Sequence, residues 1–185
     1  TFPRLVREKI IYITAAFLLF AGPGVLAYYS TIKDPHFAQL EVMKGHPLVG
    51  EEMWNMIENK KMWTDSVQGY SQTASSMIAT NNIRVCILSF VLGITYGFGT
   101  AFVLFNNGLN IGTVLGLCKV YGMLDRPLAF IAGHGVLELT AIFISGGAGL
   151  LIGRALLFPG QYRRIDALKL VGRDAMGLFA GCVPL

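Results

Sequence analysis

The sequence predicts an all-α protein: a polytopic transmembrane helical bundle of about five spans, the last one truncated, with one external loop carrying an amphipathic helix. Three observations carry that expectation. Charged residues make up only 14% of the 185 residues, 54% are apolar, and mean hydropathy is +0.56, whereas an ordinary soluble domain is about 25% charged. Several apolar runs approach the roughly 20 residues that cross about 30 Å of hydrocarbon. Lysine and arginine collect in segments that alternate with those runs in the way a membrane topology requires. A soluble enzyme and a disordered chain are excluded by the same balance.

The first apolar run, Ile10 to Tyr29, exceeds the core of a signal peptide and is read as a retained span. Gly22, Pro23 and Gly24 predict a kink or break in it, because proline lacks an amide and glycine is flexible. The second run is Ile83 to Phe105, followed by Asn106, Asn107 and Gly108, whose chemistry predicts a turn. The third, Leu109 to Leu124, is short, and its Lys119 is near enough to the end to snorkel. Asp125, Arg126 and Pro127 predict a polar turn that opens the fourth run, Leu128 to Ile152. A fifth begins near Leu170 and is expected to be cut short at Leu185, where a terminal carboxylate would sit in hydrocarbon.

Arg4, Arg7 and Lys9 precede the first run, and Arg154, Arg163, Arg164 and Lys169 lie between the fourth and fifth. Both segments are expected to be cytoplasmic. Residues 30–82 hold four basic residues against six acidic ones, as suits an external loop. Three regions follow: 1–29, an N-terminal cytoplasmic segment and first span; 30–82, the external loop; and 83–185, the membrane core of the remaining spans.

Within the loop, Val49, Met53, Met56, Ile57 and Trp63 recur at helical spacing opposite Glu51, Glu52, Asn55, Glu58 and Asn59. Two packings fit that amphipathic pattern: at the membrane interface, anchored by Trp54 and Trp63, or against a soluble partner or the protein's own span ends. The net charge of +4 accompanies no basic face interleaved with aromatics, so no nucleic-acid partner is expected. Cys86, Cys118 and Cys182 sit in separate apolar stretches, forming neither a disulfide framework nor a metal spacing. No cofactor and no metal are expected.

Small residues recur four apart at Gly93 and Gly97, Gly112 and Gly116, Ser145 with Gly149 and Gly153, and Gly177 with Gly181. Such pairs let helix backbones approach closely, within one bundle or across a homo-oligomer face. His134 and Glu138, flanked by Gly133 and Gly135, are four apart on one expected helix face. An ionisable residue at that depth needs a partner. Arg84, with Asn81 and Asn82 beside it, begins the second span on the same side, so a polar cluster of Asn82, Arg84, His134 and Glu138 is expected. It has three readings: an ion pair fixing helix register, a proton or solute pathway, or a metal-dependent intramembrane hydrolase. The last is short of ligands, since catalytic zinc normally has three from protein.

The Thr80-Asn81-Asn82-Ile83-Arg84 approach to the second span, Phe105-Asn106-Asn107-Gly108, the run from Gly133 to Leu139 and Gly146-Gly147-Ala148-Gly149-Leu150 resemble the stage II sporulation protein M family. The likeness extends from about Trp63 to Arg173, with Gly172-Arg173-Asp174 before the last span. It implies a polytopic bacterial or archaeal inner-membrane protein. The sequence holds no recognisable hydrolase domain, so any wall cleavage is expected to come from partners. In spore formers, such a protein anchors and organises peptidoglycan-degrading enzymes. The expected function is therefore a membrane scaffold or subunit for envelope proteins, with the lipid bilayer and those proteins as partners. A small transporter or channel component using the His/Glu/Arg cluster is the alternative.

Overall fold

The computed structural model describes residues 1–43, 46–61 and 71–182, without the side chains of 42, 43, 46, 71–79, 130 and 134. The architecture is helical: α1 (Phe2–Glu8), α2 (Ile10–Lys33), α3 (Glu51–Glu58), α4 (Ser71–Val91), α5 (Phe98–Val120), α6 (Asp125–Phe130), α7 (Val136–Leu157) and α8 (Arg164–Gly181). Two very short strands, Glu41–Met43 and His46–Pro47, pair antiparallel between α2 and α3. Among the described residues, α2, α5 and α7 are long and apolar enough to cross a bilayer, and Thr80–Ile94 is a shorter apolar stretch.

Several expected boundaries are corrected. Asn106, Asn107 and Gly108 form no turn; they lie inside α5. The break falls earlier, at a 3-10 turn over Leu92–Ile94 followed by Tyr96 and Gly97, both in the left-handed region with φ +58 and +83. Thr95 Oγ1 accepts from the Gly99 amide at 2.8 Å, meeting one of the amides that a helix start leaves without an intrahelical partner. The helix satisfies its own backbone groups, and the polar residues Asn106, Asn107 and Asn110 within it have interactions of their own.

Likewise, α2 runs unbroken through Pro23. The expected turn at Asp125, Arg126 and Pro127 is the first turn of α6, and the reversal lies just before it, where Gly122 takes φ +71. The fourth apolar run is interrupted by a π-helical turn, Ile131–Gly135, between α6 and α7. Finally, α8 starts at Arg164, ahead of Leu170.

The chain forms two compact units. The first comprises residues 1–19, 82–104 and 137–185. Its core gathers Ala141, Ile144, Ala148, Leu151, Ala175 and Leu178, with a second cluster of Ala16, Val85, Leu104 and Ile142. The apolar stretch of α7 is 61% buried, against 22% for that of α2, so α7 is the most enclosed of the long apolar helices. Small residues make this possible. A Cβ added to Gly93 would meet the Gly149 backbone, and one added to Gly149 would meet the Ser89 carbonyl and Thr100 side chain. Gly97 and Gly153 face each other in the same way, and Thr100 Oγ1 donates to the Ser89 carbonyl at 2.7 Å. Phe90 stacks on Phe179 of α8, with centroids 4.5 Å apart. Gly177 and Gly181 of α8 receive Leu5 and Phe2 of α1.

The second unit comprises residues 20–81 and 105–136. Here Gly108, Gly112 and Gly116 of α5 pack against Phe20, Gly24 and the Tyr28–Thr31 turn of α2. The apolar face of α3 is buried: Ile57 and Val49 form a cluster with Ala38, Leu117, Cys118 and Met123, and Met53 and Trp54 pack onto it. This helix packs against the end of α5, with Met56 left partly exposed. Trp54 stacks on His36 at 6.5 Å, while the second expected anchor, Trp63, lies outside the described residues.

Gly149→Ala is expected to destabilise the first unit by about 1–3 kcal/mol, since the added methyl collides with backbone that cannot swing aside. Gly172→Ala in α8, where a Cβ meets nothing within 4 Å, is expected to be neutral or to stabilise by up to about 1 kcal/mol. Denaturant titrations of the two purified variants in detergent read the contrast.

Candidate functional site

Glu138 stands in the first turn of α7, and Asn82 lies on α4 within the first unit. The Asn82 amide donates from Nδ2 to Glu138 Oε2 at 2.5 Å, and both side chains are partly buried. The amide orientation follows from chemistry, because an ionised carboxylate only accepts. Turned over, the same amide accepts from a protonated carboxyl, so the pair can satisfy Glu138 in either state.

Their meeting is set by helix register. The pairs Asn82 with Glu138, Gly93 with Gly149 and Gly97 with Gly153 are each separated by 56 residues, so the paths from Asn82 and from Glu138 run in the same direction. Cys86 is one turn beyond Asn82 and packs against the cluster that holds Val85 and Ile142. Beyond it, the Ser89 and Ser145 hydroxyls are buried. The seam is thus polar at the Asn82 end and close-packed by small residues at the other.

The remaining expected cluster residues are placed differently. Arg84 is exposed, two residues from Asn82 and so on another helix face. Gly133, His134 and Gly135 occupy the π turn, where the wider winding replaces the regular four-residue spacing towards Glu138. The side chain of His134 lies outside the described residues. Gly135 is buried, and a Cβ there would press on Ile131. Asn81 is exposed at the α4 surface. Asn106 and Asn107 are half-buried within α5 and engaged in interactions. Among the described residues no group of three or more His, Cys, Asp or Glu gathers as a metal centre would.

Sequence reasoning missed three contacts. Lys9 Nζ meets Asp174 Oδ2 at 2.9 Å, joining the start of α2 to α8 in a half-buried ion pair. Arg164 lies over the Tyr96 ring, 5.6 Å from its centroid. Asn110 Nδ2 donates to the Leu48 carbonyl at 2.6 Å, fastening the segment before α3 to α5. Each joins residues far apart in the chain, so no local spacing announces it.

Apolar helices packed through glycine, with a carboxylate satisfied inside a helical seam, define an α-helical membrane protein. The chain belongs to the stage II sporulation protein M family, whose profile matches residues 14–185. It is also similar to an uncharacterised protein of Methanocaldococcus jannaschii, 37% identical over 79 residues, which is 40% of this chain and 43% of the relative. The matched stretch thus spans less than half of that relative. No solved structure matches the chain.

A double-mutant cycle on Asn82→Ala and Glu138→Ala should give a coupling of about 0.5–3 kcal/mol in unfolding free energy. Glu138→Gln, which keeps an acceptor for Asn82, should cost less than Glu138→Ala. Strictly additive effects would mean that the hydrogen bond contributes nothing.

Proposed function

We propose that the protein is an integral membrane scaffold that anchors and organises envelope proteins at the bacterial or archaeal inner membrane. The observation that carries this reading is the way α3 is held. Its apolar face is buried and the preceding backbone is tied to Asn110, while Glu51, Glu52, Asn55 and Glu58 remain exposed as a polar face. A short helix fixed to a span and showing acids to water suits docking better than chemistry. In the proposed topology α2, α4, α5 and the α6–α7 segment make four crossings, and α8, whose Gly177 and Gly181 receive Leu5 and Phe2 of α1, stays on the side of the N-terminus. The N-terminus and the α7–α8 segment are cytoplasmic, which leaves α3 outside. In a spore-forming organism the docked proteins would include peptidoglycan-remodelling enzymes, in keeping with the family.

The test is recovery of partners from native membranes in mild detergent. An envelope protein should co-purify in fixed ratio with the wild-type chain and fall by about tenfold or more with Glu51→Lys/Glu52→Lys, a reversal of two charges at a rim. Equal recovery with the variant at equal abundance would remove α3 from the docking surface; a wild-type chain recovered alone would count against scaffolding.

The hydrogen bond from Asn82 to Glu138 favours a second reading, a small transporter or channel component, because intramembrane carboxylates mark proton and solute paths. That reading expects pH-dependent flux in proteoliposomes, abolished by Glu138→Gln at equal incorporation. Flux that survives the substitution would dismiss it.

A further inference from the structure

Three pieces of the first unit converge at the turn before α5. Gly97 packs on Gly153, which places the turn against the end of α7, and the Tyr96 ring carries Arg164 from the first residue of α8. The Arg164 guanidinium also reaches the Tyr96 hydroxyl at 3.5 Å. Tyr96 adopts φ +58, a conformation in which a non-glycine residue is uncommon. Arg154 and Arg163 are exposed at the ends of the same two helices. The neighbouring Asp166 lies 3.9 Å from Lys169, so their opposite charges offset each other and leave three arginines in excess.

What adjoins this positive charge is apolar and open. Phe98 and Phe158 are each 73% exposed and Ile165 is 67% exposed. A soluble anion would neutralise the guanidiniums but leave those side chains in water. A phospholipid satisfies both, with its phosphate on the arginines and its acyl chains along the apolar groups. Arginine suits the first task because its planar fork matches phosphate oxygens, and a tyrosine such as Tyr96 favours the depth at which headgroup and hydrocarbon meet.

We propose that the place where the α4–α5 turn, the end of α7 and the start of α8 meet is a binding site for the headgroup of an anionic phospholipid. Arg163 and Arg164 hold the phosphate, Tyr96 positions Arg164, and Arg154 adds charge from α7. The site needs a membrane-embedded chain but neither a docking partner nor a transported solute.

The experiment titrates the full chain in detergent with phosphatidylglycerol or phosphatidylcholine and reads bound lipid by native mass spectrometry. The wild-type chain should bind phosphatidylglycerol about tenfold more tightly than phosphatidylcholine. Arg163→Gln/Arg164→Gln should abolish most of that preference, while Arg163→Lys/Arg164→Lys, which keeps the charge, should retain it. Arg154→Gln, reading the same site from another helix, should weaken phosphatidylglycerol binding about fivefold. Equal affinity of the wild-type chain for both lipids would overturn the proposal. So would an unaltered preference in the glutamine variants at unchanged helical content, or displacement of phosphatidylglycerol by equimolar inorganic phosphate.

Discussion

The first unit depends on one constraint: its helices must touch through backbone. Lipid tails are as apolar as leucine, so burying apolar surface between two spans gains little over leaving it in lipid. What remains is dispersion, which falls off steeply with a gap of even half an ångström. Gly93, Gly97, Gly149 and Gly153 remove the side chains that would hold α4, its turn and α7 apart. Thr100 then reaches the Ser89 carbonyl from α5 and adds direction to a contact that is otherwise only close.

That contact also decides where the polar groups lie. With Gly93 against Gly149, Asn82 falls at the level of Glu138, and the carboxylate receives its donor. Sliding either helix by one turn would press side chains into backbone and leave a partly buried carboxylate without its amide. Packing and hydrogen bonding therefore select the same register. The pair serves a structural purpose whichever further purpose its chemistry supports.

Much of this was legible in the sequence, and the parts that were not share a cause. A four-residue repeat of small residues lies on one helix face whatever it meets, and in α5 and α7 the backbones of Gly112, Gly116, Gly149 and Gly153 come close to neighbouring chain. Glu138 drew attention because an acid inside an apolar run demands a partner, and Asn82 was among those proposed. Charge singles out Arg84, but it is the amide two residues earlier that meets Glu138, while Arg84 is exposed. Asn106, Asn107 and Gly108 misled because asparagine and glycine favour turns in water, whereas in α5 Gly108 is the point of contact with Phe20. The true break carried its own signal, a threonine followed by alternating glycines at Gly97 and Gly99. The π turn around His134 had none that periodicity could reveal.

The fastening of α3 bears on how the molecule would meet others. A loop that orders only upon binding must give up the freedom of its backbone at that moment, about 1–2 kcal/mol for each residue fixed. Here Ile57 is buried and Asn110 already holds the Leu48 carbonyl, so this part of the loop is ordered before any encounter. If α3 docks a partner as proposed, a protein arriving at Glu51 and Glu52 would meet a surface already ordered, and the strength of its contacts would go into residence time rather than into organising the site.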